Sequence, residues 1–159
     1  MVQQILGHEA YCIDTSALID LWRLYPRDIF PGLWKHLERL VSERNLVAPH
    51  EVLKELEQKE DELLGGARNN RKMFIDLDSE QQQLVRSMLK KYPALVDPGK
   101  SIPDADSFVV TLGKKSYTVV THEKARGPGG SIRIPDVCAR ENIKCISLHQ
   151  MFREEQWEF

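Results

Sequence analysis

A chain of 159 residues with 42% hydrophobic content can bury a core without disulfide or metal staples and is too short for two independent domains, so one domain over 1–159 is expected. Its formal net charge of −2 excludes the whole-surface attraction for polyanions seen in strongly basic binders, and any nucleic-acid binding must come from a local patch. Cys12, Cys138 and Cys145 are odd in number and form no CxxC pair, which excludes a disulfide framework and a thiolate zinc site and leaves buried, reduced thiols of a cytoplasmic protein.

Met1 to Glu9 shows no basic-then-apolar leader pattern, and no apolar run approaches the roughly 20 residues that cross a bilayer, so a soluble chain without membrane contact is expected. Ala10-Tyr11-Cys12-Ile13 reads as a strand that runs through Asp14-Thr15-Ser16 into a helix over Ala17–Trp22. Tyr25-Pro26 breaks that helix. Leu33, Trp34, Leu37, Leu40 and Val41 recur at the spacing of one buried face, which predicts a second helix to Arg44. Leu46–Pro49 reads as a short buried strand, and Glu51–Lys59 as a helix burying Val52, Leu53 and Leu56. The polar stretch Asp61–Asn70, with Gly65-Gly66, reads as a frayed helix end or a surface loop. A helix over Ser79–Lys91 follows, with Ser79 as its N-cap.

Ile102-Pro103-Asp104 opens a helix to Lys115, and Tyr117–Thr121 is the clearest strand by its β-branched content. His122–Arg133, containing Gly127-Pro128-Gly129-Gly130, reads as a loop. Ile134-Pro135-Asp136 starts a short helix, Lys144–Leu148 forms the last strand, and a terminal helix follows His149. Strands alternating with helices predict an α/β fold, a three-layer α/β/α sandwich around a mostly parallel sheet.

In such sheets, ligands bind outside the carboxyl ends of the strands where the strand order reverses. Asp14 ends the first strand, Glu123 follows the Tyr117–Thr121 strand, and Glu55 and Asp106 lie on helices beside strands. Four carboxylates converging there suit a hard divalent cation such as Mg²⁺ or Mn²⁺. Such an ion takes oxygen ligands, and closely packed acids cannot all stay ionised without a counter-charge.

Each of these residues also has a plainer reading. Asp14 is placed to cap the helix that follows it. Glu55 makes an ordinary solvated pair with Lys59, and Glu51 is a rival on the same face. Asp104 and Asp106 point apart on a helix, which leaves Asp104 as the cap. Glu123 opens a polar loop, Asp136 caps its own helix, and Ser16 either caps or orients Asp14 or a metal-bound water. His122 has no second histidine at ligand spacing and reads as a solvated loop residue. Lys124, Arg126 and Arg133 around the glycines form a candidate site for RNA phosphates, without the Gly-Lys-Ser/Thr ending of a nucleotide P-loop. Trp22 and Trp34 read as core, while Trp157 is undecided among core, interface and surface.

Four stretches occur in order: Cys12-Ile13-Asp14-Thr15-Ser16-Ala17-Leu18-Ile19, Val47-Ala48-Pro49 leading to Val52-Leu53-Lys54-Glu55-Leu56, Asp104-Ala105-Asp106-Ser107-Phe108-Val109-Val110, and Val119-Val120-Thr121-His122-Glu123. Together they resemble, over nearly the whole chain, the PIN-domain nucleases, the group that includes the VapC-type toxins. Ile134-Pro135-Asp136-Val137-Cys138 is similar to the tail of stand-alone prokaryotic PIN-like proteins.

The resemblance implies a PIN fold and a Mg²⁺- or Mn²⁺-dependent endoribonuclease that hydrolyses RNA phosphodiester bonds. It also implies the toxin half of a toxin–antitoxin pair with an antitoxin partner, and a homodimer. By the same resemblance Asp14, Glu55 and Asp106 are metal ligands, directly or through water, with Ser16, Asp104 and Asp136 as candidate support. Glu123 occupies a fourth acidic position where the family commonly has Asp. Its longer side chain either reaches the metal differently or holds an outer water. A non-catalytic PIN-like module that binds RNA or a protein is the competing expectation. A phosphatase-type Asp nucleophile is weaker, because no Asp-x-Asp follows the first strand.

Overall fold

A computed structural model describes residues 9–58, 71–95, 105–125 and 132–159. Its strands are β1 (Tyr11–Ile13), β2 (Leu46–Pro49), β3 (Phe74–Ile75), β4 (Thr118–Val120) and β5 (Cys145–Ile146). The described helices are α1 (Thr15–Leu24), α2 (Pro31–Ser42), α3 (His50–Glu57), α4 (Ser79–Lys91), α5 (Asp106–Lys114), α6 (Ile134–Glu141) and α7 (Leu148–Glu154). The strands form one parallel sheet in the order β3-β2-β1-β4-β5. β1 is central, with Cys12 in register with Val47 on one side and Val119 on the other.

The residues of β1, β2 and β4 are buried throughout. That is why they read as unbroken apolar runs and not as alternating ones: a parallel sheet is covered on both faces. Chain order moves from β1 outward to β2 and β3, then returns across the sheet to β4 and β5. Right-handed crossovers therefore deliver helices to both faces, giving the three-layer α/β/α sandwich. α5 packs on β1 and β4 and touches both α4 and α6. On α7, Phe152 meets Tyr25 edge-on at 5.7 Å. Trp157, left undecided by the sequence, stacks on His36 of α2 at 5.1 Å and packs against the core rim.

Local chemistry sets the element ends. On α2 the buried positions are Leu33, Trp34, Leu37, Leu40 and Val41, the face that its spacing predicts. Pro31 opens this helix, where its missing N–H costs nothing. The N-cap of α4 is Asp78, one residue before the expected Ser79. Asp78 is extended, its carboxylate accepts from Gln81 N–H at 2.7 Å, and the Gln81 side chain accepts from Asp78 N–H at 2.9 Å. This reciprocal box satisfies two donors, and Ser79 becomes the first helical residue. β3 was not expected: it is two residues long at the sheet edge, too short to show any period. The stretch 61–70, the opening Ile102-Pro103-Asp104 and the glycines of 127–130 lie outside the described residues. Among the described residues, no helix is long and apolar enough to cross a membrane.

Gly113 fixes how closely α5 lies on the sheet. A Cβ there would sit 2.6 Å from Ile143 Cγ2, in the connection between α6 and β5, and 2.7 Å from Val119 Cγ2 on β4. Gly113→Ala is expected to destabilise the fold by about 1–3 kcal/mol through overpacking, outweighing a gain of about 1 kcal/mol in helix propensity. A urea midpoint that stays level or rises in this variant would show instead that α5 can back away from the sheet.

Candidate active site

Strand order reverses between β1 and β4, and the candidate site lies at their carboxyl ends. Asp14 leaves β1 with extended backbone and becomes the N-cap of α1, its Oδ1 accepting from Ala17 N–H at 2.8 Å. The Ser16 hydroxyl donates to Oδ1 at 2.8 Å and lies 3.0 Å from Oδ2, and the Thr121 hydroxyl donates to Oδ2. These two hydroxyls are themselves held by β4's exit. Ser16 Oγ accepts from His122 N–H, and Thr121 Oγ1 accepts from Glu123 N–H, each at 3.0 Å.

Asp14 is only 1% exposed. Burial raises its carboxyl from the ordinary 3.8 to about 6, although the bonds from Thr121, Ala17 and Ser16 favour the charged form. Glu123 adds repulsion in the same direction, so the two acids feel each other across one crevice.

The other acids sit at helix starts. Glu123 Oε2 accepts from Ile134 N–H, the first of α6, at 3.1 Å, while Arg133 approaches Oε1 at 3.8 Å. Glu55 Oε1 accepts from Ala105 N–H at 2.8 Å, immediately ahead of α5, so its carboxylate lies one residue from Asp106. Asp106 is half-buried as the first residue of α5. Asp136 accepts from Arg133 N–H at 2.9 Å from the third position of α6.

Three plainer readings need correction. Glu55 is not a solvated helix partner: it is 9% exposed, and reaches 50 residues along the chain to the start of α5. Asp136 is not the cap of its helix; Arg133 holds that position and Asp136 reaches back to its amide. His122 is not a solvated loop residue. Its Nδ1 lies 2.6 Å from Asp20 Oδ2, and its Nε2 accepts from Leu148 N–H at 3.4 Å, joining α1 to α7.

Asp14 and Glu123 repel each other, and Glu55 is bonded to the residue that precedes Asp106. Among the described residues, no group of three or more His, Cys, Asp or Glu is arranged to hold a metal ion. Of the candidate phosphate-binding cations, Lys124 is exposed and Arg133 faces Glu123, while Arg126 lies outside the described residues, as does Asp104. Sequence alone does not reveal Thr121, His122 and Asp20 as parts of this site: Thr121 reads only as a strand residue, and the pairing of Asp20 with His122 spans 102 positions.

The donor chemistry fits a hard cation. The candidate donors are all oxygens, and Asp14 carries a charge that burial penalises. Without an ion, Asp14 costs stability once ionised. Its folded carboxyl titrates above the unfolded one, so between about pH 4 and 6 the unfolded chain gives up its proton first, and stability falls as pH rises. Asp14→Asn is therefore expected to be more stable than the wild type at pH 7.5 in chelator, by up to about 3 kcal/mol. The gap should open between pH 4 and 6 and stay level above; urea unfolding at several pH values reads it, and a gap independent of pH would refute the assignment.

No curated protein and no solved structure matches the chain at a significant level. A family model described as "Domain of unknown function (DUF4411)" matches residues 11–159, from the first residue of β1 to Phe159. The chain belongs to this DUF4411 family.

Proposed function

We propose that this chain is a Mg²⁺- or Mn²⁺-dependent endoribonuclease centred on Asp14. The observation that carries the reading is a carboxylate 1% exposed at the point where strand order reverses, raised to about 6 and facing a second acid, Glu123. Carboxylates perturbed in this way cluster at sites that manage charge for binding or catalysis.

Asp14 and Glu123 would hold the ion, with Asp106 brought up by α5. Bound there, a divalent ion supplies Lewis acidity and positive charge at the reacting phosphate. The chain's own residues do the rest. Ser16 and Thr121 fix the plane of the Asp14 carboxylate, and Ala17 N–H keeps it ionisable despite its burial. Glu55 anchors the start of α5 and so sets where Asp106 begins. Lys124, exposed just past Glu123, is placed to meet the RNA backbone. The antitoxin partner and the homodimer belong to this reading and rest on the resemblance to PIN-domain nucleases.

Purified protein is expected to cut single-stranded or structured RNA with Mg²⁺ or Mn²⁺ and to stop in chelator. Asp14→Asn is expected to lose about 100-fold or more of that activity, the scale on which removing one charge-stabilising group acts. Cleavage in chelator, or full activity in the variant, would refute the reading.

One observation favours a non-catalytic module that binds RNA or protein. Glu123 and Glu55 each already accept a backbone N–H, so part of each carboxylate's capacity is taken up within the protein. Calorimetric titration with Mn²⁺ separates the two readings: RNA binding without any metal binding supports the module.

A further inference from the structure

His122 touches α1 twice, one helical turn apart. Its backbone N–H donates to Ser16 Oγ at 3.0 Å, and its ring Nδ1 lies 2.6 Å from Asp20 Oδ2. Ser16 and Asp20 are four residues apart, and so share one face of α1. The other ring nitrogen accepts from Leu148 N–H at the start of α7. The residue before His122 donates a hydroxyl to Asp14, and the residue after it is the acid that repels Asp14. His122 thus sits between two residues that act on the buried carboxylate, one a hydroxyl donor and the other a like charge.

We propose that Asp20 and His122 are positioning residues that set Ser16 and Thr121 against Asp14 and thereby tune the affinity of Asp14 for a divalent cation. The metal-affinity part of this inference rests on the reading of Asp14 as a metal ligand. Neither residue is among the ligands proposed for the ion. Asp20, on an outward part of α1, fixes the imidazole ring, and the ring fixes the amide that Ser16 Oγ accepts. Groups that orient metal ligands in this way are worth about 10- to 100-fold in affinity. A merely structural tie between α1 and β4 would change global stability and leave local order at Asp14 unchanged.

The test compares the wild type with Asp20→Ala, His122→Ala and His122→Asn, the last retaining an N–H donor near the Nδ1 position. Two measurements are made on the full chain. Amide hydrogen exchange in chelator follows His122 N–H and Ala17 N–H, which report the bond to Ser16 and the bond to Asp14. Calorimetry with Mn²⁺ alone follows the metal. Asp20→Ala and His122→Ala are expected to lower protection of both amides about 10-fold relative to helix-core amides and to weaken Mn²⁺ binding about 10- to 100-fold. His122→Asn is expected to recover most of both. Unchanged protection of His122 and Ala17 in the alanine variants overturns the inference, as does unchanged Mn²⁺ affinity where the wild type binds. A wild type that binds no Mn²⁺ refutes the metal reading of Asp14 and, with it, the affinity part of this inference; the exchange measurement still decides the positioning.

Discussion

A negative charge withdrawn from water at the end of the central strand is the constraint around which this end of the molecule is organised. In a parallel sheet every strand's carboxyl end leads into the amino end of a helix, so the point of strand reversal also gathers helix starts, with their unpaired N–H groups and partial positive charge. The structure uses them one by one. Asp14 takes the start of α1, Glu55 the approach to α5, and Glu123 the start of α6. Each helix end offers about 0.3–1 kcal/mol, and up to about 2 in a partly buried setting. Taking a carboxylate out of water costs several kcal/mol. The three donors on Asp14 do not close that gap, and the remainder appears as a carboxyl raised to about 6. An amide at this position would carry no such penalty, so the cost belongs to the charge and not to the shape of the side chain.

The sequence showed the frame more clearly than the contacts. Fully buried strands such as Tyr11–Ile13 and Leu46–Pro49 announce themselves as apolar runs, and the stripe from Leu33 to Val41 announces a helix face, because burial follows period. What escaped depends on partners distant in the chain. Phe74–Ile75 becomes a strand only because β2 offers it an edge. Glu55 and Lys59 look like an exposed pair until the start of α5 arrives 50 residues later. His122 sits among polar neighbours that make any residue look solvated, yet α1 and α7 close on it from two sides. Ser79 and Asp78 show a smaller failure of the same kind: both can cap, and the choice rests on Gln81 reaching back.

Glu123 shows how a one-carbon difference is put to use. The PIN-domain nucleases that the sequence resembles commonly have Asp at this position, and Glu is longer by one methylene. In the structure the extra reach carries Oε2 to the first amide of α6 while Oε1 faces Arg133. Glu123 is thereby tied to two protein-borne sources of positive charge while staying near enough for Asp14 to feel its repulsion. Counter-charge for this acid is thus supplied by the fold itself, which couples the acid to the packing of α6 against the exit of β4.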